Sequence, residues 1–200
     1  MRDILSTIFD GPGVGPDPSA AGNIWPASLA AGEERELRSA AVLVPLIDRA
    51  DGMTVLLTQR TDTMSDHAGQ IAFPGGRVEP GEVTPEETAL RETEEEIGLS
   101  TSKIEVLGRM NARDTGTGYR VMPVVGLIRP PMSLSPDPSE VAKVFEVPME
   151  FILDPANHRL EKRDERGESR EYYVMPYNDH YIWGLTARIL VELGKMVRNA

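Results

Sequence analysis

Hydrophobic residues along this chain occur in short runs separated by turn residues, a pattern that predicts strands joined by tight loops. The continuous apolar run at 40–47 is typical of a strand that is buried on both faces. Turn residues at 48–52 and a second apolar run at 53–58 predict that these two strands form a hairpin. Shorter runs predict further strands at 71–73, 104–107, 119–128 and 144–147, and a charged hairpin over 160–175.

Two other stretches have the period of an amphipathic helix. Apolar residues recur at helical spacing from Trp183 to Val197, which predicts a C-terminal helix packed on a sheet, with Trp183 in the core. Residues 1–9 predict a short amphipathic helix, and residues 11–33, rich in Gly, Pro, Ala and Ser, predict an extended arm. We therefore divide the chain into an N-terminal helix with a flexible arm, residues 1–36, and a folded domain, residues 37–200.

The run from 76 to 99 predicts a helix with well-defined ends. Thr84 is a favourable N-cap, Pro85 suits the first helical position, and Glu87 completes a capping box. Gly98 is the residue at which such a helix would end. One side of this helix is apolar and is expected to be buried: Ala89, Leu90, Thr93 and Ile97.

The opposite side of the same helix carries three carboxylates, Glu92, Glu95 and Glu96, within an arc of roughly 100°. Carboxylates three and four residues apart repel each other, and near the end of a helix they also face its negative dipole. A local positive charge would explain the cluster, and oxygen ligands favour a hard divalent cation, Mg²⁺ or Mn²⁺. The alternative is a solvated acidic face, but the preceding glycine turn and the adjacent Arg91 favour a metal site.

This stretch resembles the Nudix box, Gly-x5-Glu-x7-Arg-Glu-U-x-Glu-Glu-x-Gly-U, in which U is a bulky apolar residue. The matching residues are Gly76, Glu82, Arg91, Glu92, Glu95, Glu96, Gly98 and Leu99. The chain departs from the pattern in two places, because eight residues separate Glu82 from Arg91 and Thr93 stands at a U position. The inserted residue precedes the helix cap, so it lengthens a loop and leaves the helix register intact.

An upstream segment is similar to the signature of the coenzyme A pyrophosphatase branch, Leu-Leu-Thr-x-Arg-(Ser/Ala)-x3-Arg-x3-Gly-x3-Phe-Pro-Gly-Gly. The similarity covers residues 56–60, 67–70 and 73–76. Ser65 stands where that signature has an arginine, which is a natural partner for phosphate. Either Arg60 or another cation takes over this role, or the substrate differs.

The resemblance implies an α/β protein with the Nudix fold, an α/β/α sandwich with a mixed β-sheet. It implies an enzyme that uses Mg²⁺ or Mn²⁺ to hydrolyse a pyrophosphate linkage in a small nucleotide. Coenzyme A or acyl-coenzyme A is the substrate that the upstream signature indicates. The alternatives are ADP-ribose or another nucleoside diphosphate derivative and, ranked lower, a Nudix-fold module that binds a nucleotide without cleaving it.

The resemblance also implies roles for individual residues. The expected metal ligands are Glu92, Glu95, Glu96 and the backbone of Gly76, and the expected substrate contacts are Arg60, Gly75 and Gly76. Arg91 belongs to the catalytic motif, although we favour a structural role in which it pairs with Glu95 or braces a neighbouring carboxylate. Glu140 either completes the metal site or acts as base, or it lies in the first turn of a helix.

The composition limits the remaining function classes. A net charge of −11 argues against a nucleic-acid-binding surface, and an anionic substrate would need a metal and local cations to approach. The absence of cysteine excludes disulfides, thiolate catalysis and cysteine-based zinc sites. We find neither a signal peptide nor a run long enough to span a membrane, so we expect a cytoplasmic protein. A homodimer would form if the N-terminal arm or an apolar hairpin paired with a second copy.

Overall fold

The computed structural model describes residues 1–10, 37–62, 68–165 and 168–200. Ser65, the predicted arm and the tip of the charged hairpin lie outside these residues. The helices are α1 (Arg2–Asp10), α2 (Pro85–Ile97), α3 (Met149–Leu153) and α4 (Gly184–Asn199). The strands are β1 (Arg38–Arg49), β2 (Gly52–Arg60), β3 (Ile71–Ala72), β4 (Gly75–Arg77), β5 (Ile104–Arg109), β6 (Arg113–Asp114), β7 (Tyr119–Ile128), β8 (Val141–Pro148), β9 (Arg159–Glu165), β10 (Glu168–Tyr177) and β11 (His180–Trp183).

Strands β1 to β8 form one mixed sheet with β1 at its centre. Strand β1 pairs antiparallel with β2, which confirms the predicted hairpin, and parallel with β7. The main path of the sheet is β3-β2-β1-β7-β5, with β4 on β1, β6 on β7 and β8 on β2. Strand β4 therefore lies beside the buried central strand, and it carries the glycine turn that leads towards α2.

Alternate residues of β1 point to opposite faces of the sheet. Val44 and Leu46 enter the larger core, which also contains the apolar face of α4. Leu43 and Ile47 enter two smaller clusters on the side of α2. Both faces are buried, as the continuous apolar run predicts. Helices flank the mixed sheet on both sides, so the predicted α/β/α sandwich is confirmed.

The N-terminal helix α1 packs onto this sandwich. Its apolar residues Leu5, Ile8 and Phe9 are buried in the larger core. A side chain at Gly108 of β5 would collide with the ring of Phe9, so the helix lies directly against the sheet edge. The predicted helix is confirmed, and its apolar face is part of the main core. Neither α1 nor any other helix in the described ranges is long and apolar enough to cross a membrane.

Strands β9, β10 and β11 form a separate antiparallel sheet, which the sequence pattern did not predict as a second layer. One face of this small sheet contributes Met175 and Ile182 to the main core. The predicted core position of Trp183 is wrong, because its ring is only half-buried. It lies at the N-cap position of α4, with its centroid 5.9 Å from that of Tyr172 in an edge-to-face arrangement.

Candidate active site

Helix α2 begins and ends at the predicted residues. The Thr84 hydroxyl accepts a hydrogen bond from the Glu87 N–H at 3.3 Å, and the Glu87 carboxylate accepts one from the Thr84 N–H at 3.1 Å. Gly98 has a left-handed φ of 64° and donates its N–H to the Glu94 carbonyl. Because both ends are fixed, the carboxylates along the helix point in defined directions.

The glycine turn of β4 passes directly beneath the last two turns of α2. A Cβ atom at Gly75, where φ is 153°, would collide with the backbone of β1, so only glycine is accommodated there. A Cβ atom at Gly76 would occupy the space of the Glu92 carboxylate. The Gly75 N–H donates a hydrogen bond to the carboxylate of Glu96. The two glycines thus bring the main chain into contact with Glu92 and Glu96.

Glu96 is the most buried carboxylate of this group, with a side chain only 5% exposed. The glycine turn covers it, so the alternative of a solvated acidic face does not hold at this residue. Burial raises the pKa of Glu96 to about 8, an effect that the nearby Arg60 guanidinium, 3.6 Å away, opposes and that Glu92 and Glu140 increase. The charged form of Glu96 is therefore disfavoured unless a further positive charge enters the site.

Glu92 lies one turn before Glu96 on the same side of the helix. Burial raises the pKa of Glu92, although the Arg91 guanidinium, 3.0 Å from its carboxylate, opposes the shift. The charges of Glu95 and Glu140 raise it further. Two adjacent carboxylates with raised pKa values are thus aimed at the same glycine turn, where a bound cation would favour their charged forms.

Glu95 differs from these two glutamates, because its side chain is 59% exposed. The Arg91 guanidinium lies between Glu95 and Glu92, donating to Glu95 at 2.8 Å and to the Arg77 carbonyl at 3.0 Å. The expected pairing of Arg91 with the residue one turn later is therefore present. The role of Glu95 as a metal ligand stays a prediction.

Glu82 is engaged by donors from the protein itself. Its carboxylate accepts hydrogen bonds from the Glu79 N–H at 2.7 Å, the Thr88 hydroxyl at 2.6 Å and Arg91 Nε at 2.8 Å. Burial alone would raise the pKa of Glu82, but these hydrogen bonds, with Arg91 the strongest, lower it overall. In this geometry Glu82 anchors the loop before α2 and orients Arg91.

Glu140 is the last residue of a hydrogen-bonded turn and leads directly into β8, so the alternative that placed it in a helix is wrong. The preceding loop binds the end of α2, where the N–H groups of Ser135 and Asp137 donate to the carbonyls of Ile97 and Glu96. The Glu140 carbonyl accepts from the Thr61 N–H at 2.9 Å. Sequence reasoning missed these loop contacts, which hold Glu140 close enough to influence the pKa of both Glu92 and Glu96.

The donor set fits a hard divalent cation in charge and chemistry. No three acidic or histidine side chains within the described ranges converge into a ready-made set of ligands. A Mg²⁺ ion, however, is usually held by one or two carboxylates, with water and substrate phosphates as the other ligands. Glu92 and Glu96 supply such a pair beside the glycine backbone, and their repulsion is only partly offset by Arg60 and Arg91.

Comparison with known proteins agrees with this geometry. The family model of the NUDIX domain matches residues 37–180. The chain belongs to the Nudix family. Nudix hydrolases generally use divalent metal ions, in agreement with the carboxylates on α2. The matched range contains the mixed sheet, the glycine turn, α2 and the loop that carries Glu140.

Relatives with the Nudix name match most of the chain. A Photorhabdus laumondii protein, "Uncharacterized Nudix hydrolase NudL", is 43% identical over 161 residues, which cover 80% of this chain and 86% of the relative. A Yersinia pestis protein of the same name is 39% identical over 160 residues, covering 80% of each chain. The protein is therefore a member of the Nudix hydrolases, and its enzyme class follows from both the motif and these relatives.

Solved structures share the fold at lower identity. A MutT/nudix family protein from Enterococcus faecalis has a TM-score of 0.52 at 22% identity, covering 86% of this chain and 66% of the other. The NUDIX domain of Shewanella oneidensis NrtR, solved with ADP ribose, has a TM-score of 0.51 at 17% identity, covering 86% and 94%. These similarities confirm the Nudix fold.

Proposed function

We propose that this Nudix hydrolase uses Mg²⁺ or Mn²⁺ to cleave the pyrophosphate linkage of coenzyme A or acyl-coenzyme A. Water would attack one phosphorus, and the bond from that phosphorus to the bridging oxygen would break. The products would be 4′-phosphopantetheine, or its acyl form, and adenosine 3′,5′-bisphosphate. The observation that carries the reaction class is the carboxylate pair of Glu92 and Glu96 against the glycine turn.

Each residue of the site has a role in this proposal. Glu92 and Glu96 would hold the cation, with the backbone of Gly76 beside them. When bound, the cation supplies Lewis-acid stabilisation of the phosphate oxygens and makes water easier to deprotonate. Arg60 adds a positive charge at the edge of the site, 3.6 Å from Glu96, where it could meet a phosphate oxygen of the substrate.

Glu140 has two possible roles that its position supports equally. Its charge acts on both Glu92 and Glu96, as expected of a residue that adds a third oxygen ligand. The same position would suit a carboxylate that removes a proton from water. Arg91 takes a positioning role, because its contacts are with Glu82, Glu92 and Glu95.

The choice of coenzyme A rests on the resemblance over residues 56–76. The second candidate is ADP-ribose or another nucleoside diphosphate derivative, and Ser65 favours it by removing an arginine from the signature. A binding module without catalysis is the weakest candidate, because Glu92, Glu95 and Glu96 are all retained. A cytoplasmic location and a homodimer stay predictions.

A turnover assay with coenzyme A, acetyl-coenzyme A, ADP-ribose and NADH, each with Mg²⁺ and with Mn²⁺, tests the proposal directly. We expect the highest kcat/KM with one of the two coenzyme A substrates and no turnover in EDTA. A clear preference for ADP-ribose would replace the substrate and retain the reaction class. Absence of phosphorylated products from all four substrates would contradict the reaction class.

A further inference from the structure

A cavity of about 510 Å³ lies between the end of β2, the segment 68–71 and strand β11. None of the residues to which we assigned metal or phosphate chemistry lines it. Its volume is in the range of small-molecule sites, about 300–1,000 Å³. The lining residues that matter here combine two aromatic rings, two amides and an imidazole: Tyr181, Trp183, Gln59, Gln70 and His180.

Contacts behind the wall of this cavity fix the aromatic rings in place. The Tyr181 hydroxyl donates to the Glu161 carboxylate at 3.1 Å, and the Tyr172 hydroxyl donates to the same carboxylate at 3.1 Å. Tyr172 packs edge-to-face against Trp183. Tyr181 remains 49% exposed, which is unusual for a large side chain held so firmly. Rings that are fixed and accessible lose little entropy when a planar ligand stacks on them.

The polar part of the lining favours an uncharged ligand over a cation. Asp179, the acidic residue of the lining, lies 3.4 Å from Lys143 Nζ and 3.4 Å from the His180 imidazole. His180 stacks on Phe145 with their ring centroids 3.6 Å apart, and burial lowers its pKa, which favours the neutral imidazole. Amide side chains such as Gln59 and Gln70 can donate and accept together, as the edge of a heterocyclic base requires.

The cavity lies within reach of the carboxylate pair. Gln59 lines the cavity, and the next residue, Arg60, lies beside Glu96. Gln70 also lines it, and Gly75 follows five residues later, at most about 17–18 Å away along the chain. A nucleotide whose pyrophosphate lies at the glycine turn could therefore extend its nucleoside around the end of β2.

We propose that this cavity binds the planar base of the nucleotide substrate, with Trp183 and Tyr181 as the stacking surface and Gln59 and Gln70 at the base edge. The inference rests on the proposed function, because it assigns one part of that substrate. Adenine is common to coenzyme A and to ADP-ribose, so the assignment is independent of the choice between them. It makes Trp183 and Gln59 specificity-determining residues.

Adenosine and ribose carry no phosphate, so their binding tests this inference without any catalysis. The chain has two tryptophans, and Trp25→Phe leaves Trp183 as the sole tryptophan, which excitation at 295 nm selects over the tyrosines. In EDTA, we expect adenosine to quench the Trp183 fluorescence of that variant with saturation, whereas ribose leaves it unchanged. Calorimetry on the full chain then gives the dissociation constant of adenosine without any metal or turnover.

Matched variants test the assigned contacts. Stacking on one ring corresponds to about 5- to 150-fold in affinity, so Trp183→Leu should weaken adenosine binding by at least about fivefold. Gln59→Ala should also weaken it, and this variant leaves the aromatic wall intact if Trp183→Leu fails to fold. Leu160→Ala, at an exposed position of β9 outside the lining, should bind adenosine as the parent does.

The outcomes distinguish the two proposals. Adenosine binding that is unaffected by Trp183→Leu and Gln59→Ala would overturn the base assignment even if pyrophosphate hydrolysis is found. Saturable binding of pantetheine instead of adenosine would assign the cavity to the other half of coenzyme A and would also overturn it. Adenosine binding that both variants weaken would support it even if none of the pyrophosphate substrates is cleaved.

Discussion

The carboxylates before and early in α2 differ in environment from those near its end. Glu82 and Glu87 accept hydrogen bonds from backbone and side-chain donors, and the pKa of each is lowered. Glu92 is half-buried and Glu96 is buried, each with too few donors, and the pKa of each is raised. The first pair stabilises the fold through its negative charge, whereas the second pair costs stability until a cation binds. The number of hydrogen-bond donors around each glutamate thus separates those that anchor the fold from those that we propose as metal ligands.

The largest expected effect is a loss of catalysis when one of the proposed ligands near the end of α2 is changed. Glu96→Gln keeps the size of the side chain but removes the charge of a proposed ligand. We expect kcat/KM to fall by more than the 10- to 100-fold typical of residues outside the ligand shell, with a normal circular dichroism spectrum. Glu95→Gln, which removes the same charge from an exposed position, is the matched control and should lose less. Near-normal activity of Glu96→Gln would contradict the ligand assignment.

A variant of Glu140 tests whether the proposed metal site includes a carboxylate from outside α2. We expect Glu140→Gln to lower kcat/KM by at least about 10-fold, and by about 10²- to 10⁴-fold if Glu140 is the base, whereas the exposed Glu150→Gln should leave it unchanged. Recovery of activity at high Mg²⁺ concentration would identify Glu140 as a ligand, since weak binding can be overcome by mass action. A loss that persists at saturating Mg²⁺ would identify it as the base. Full activity in the variant would exclude both roles.

Sequence alone predicts both ends of α2 well, because capping contacts are local. Thr84, Glu87 and Gly98 act within one turn of the residues they cap, so their spacing suffices to predict both helix ends. The continuous apolar run of β1 likewise predicts burial on both faces. Local spacing also predicts the contact of Arg91 with Glu95, one turn later.

The rest of the site depends on contacts between distant segments, which spacing cannot predict. Glu96 is buried because β4 crosses beneath it, and β4 itself is a three-residue strand without a periodic signal. Glu140 is positioned by a loop whose N–H groups bind the end of α2. Trp183 has the spacing of a core residue, but the small sheet places it at a cavity wall. In each case the partner is far away in the sequence.

The pH dependence of the free energy of unfolding tests whether Glu82 anchors the fold. Its pKa is lowered in the folded state, so its contribution to stability is present above its ordinary pKa of 4.5 and is lost as the pH falls below it. Glu82→Gln should lower the free energy of unfolding at pH 7 by about 1–3 kcal/mol, and the difference should shrink towards pH 3. Glu79→Gln, at a residue 64% exposed and 4.0 Å from Arg91, is the control. A loss that does not depend on pH would contradict the anchor role.

The smallest expected effect is a gain in stability, in contrast to the loss expected for Glu82→Gln, and it concerns the metal-free protein. Because the pKa of Glu96 is raised to about 8, its burial costs no stability below its ordinary value of 4.5, and the cost grows as the pH rises to 8. In EDTA, Glu96→Gln should therefore melt at a higher temperature than the parent at pH 8, by about 2–4 °C for each kcal/mol of repulsion relieved. The two melting temperatures should converge as the pH falls below 4.5, where the carboxyl becomes protonated in the unfolded as well as the folded state.

Adding a cation should make the parent melt at a higher temperature than Glu96→Gln. Magnesium or manganese ions that bind only the folded state raise its stability by mass action, and they should do so for the parent far more than for Glu96→Gln. A thermal scan of both proteins at pH 8, with EDTA and then with a series of Mg²⁺ concentrations, measures the crossover. Equal shifts in parent and variant would show that the cation binds elsewhere. In that case the burial of Glu96 would be a cost to the fold that no cation offsets. The proposed distinction between anchors and ligands along α2 would then disappear.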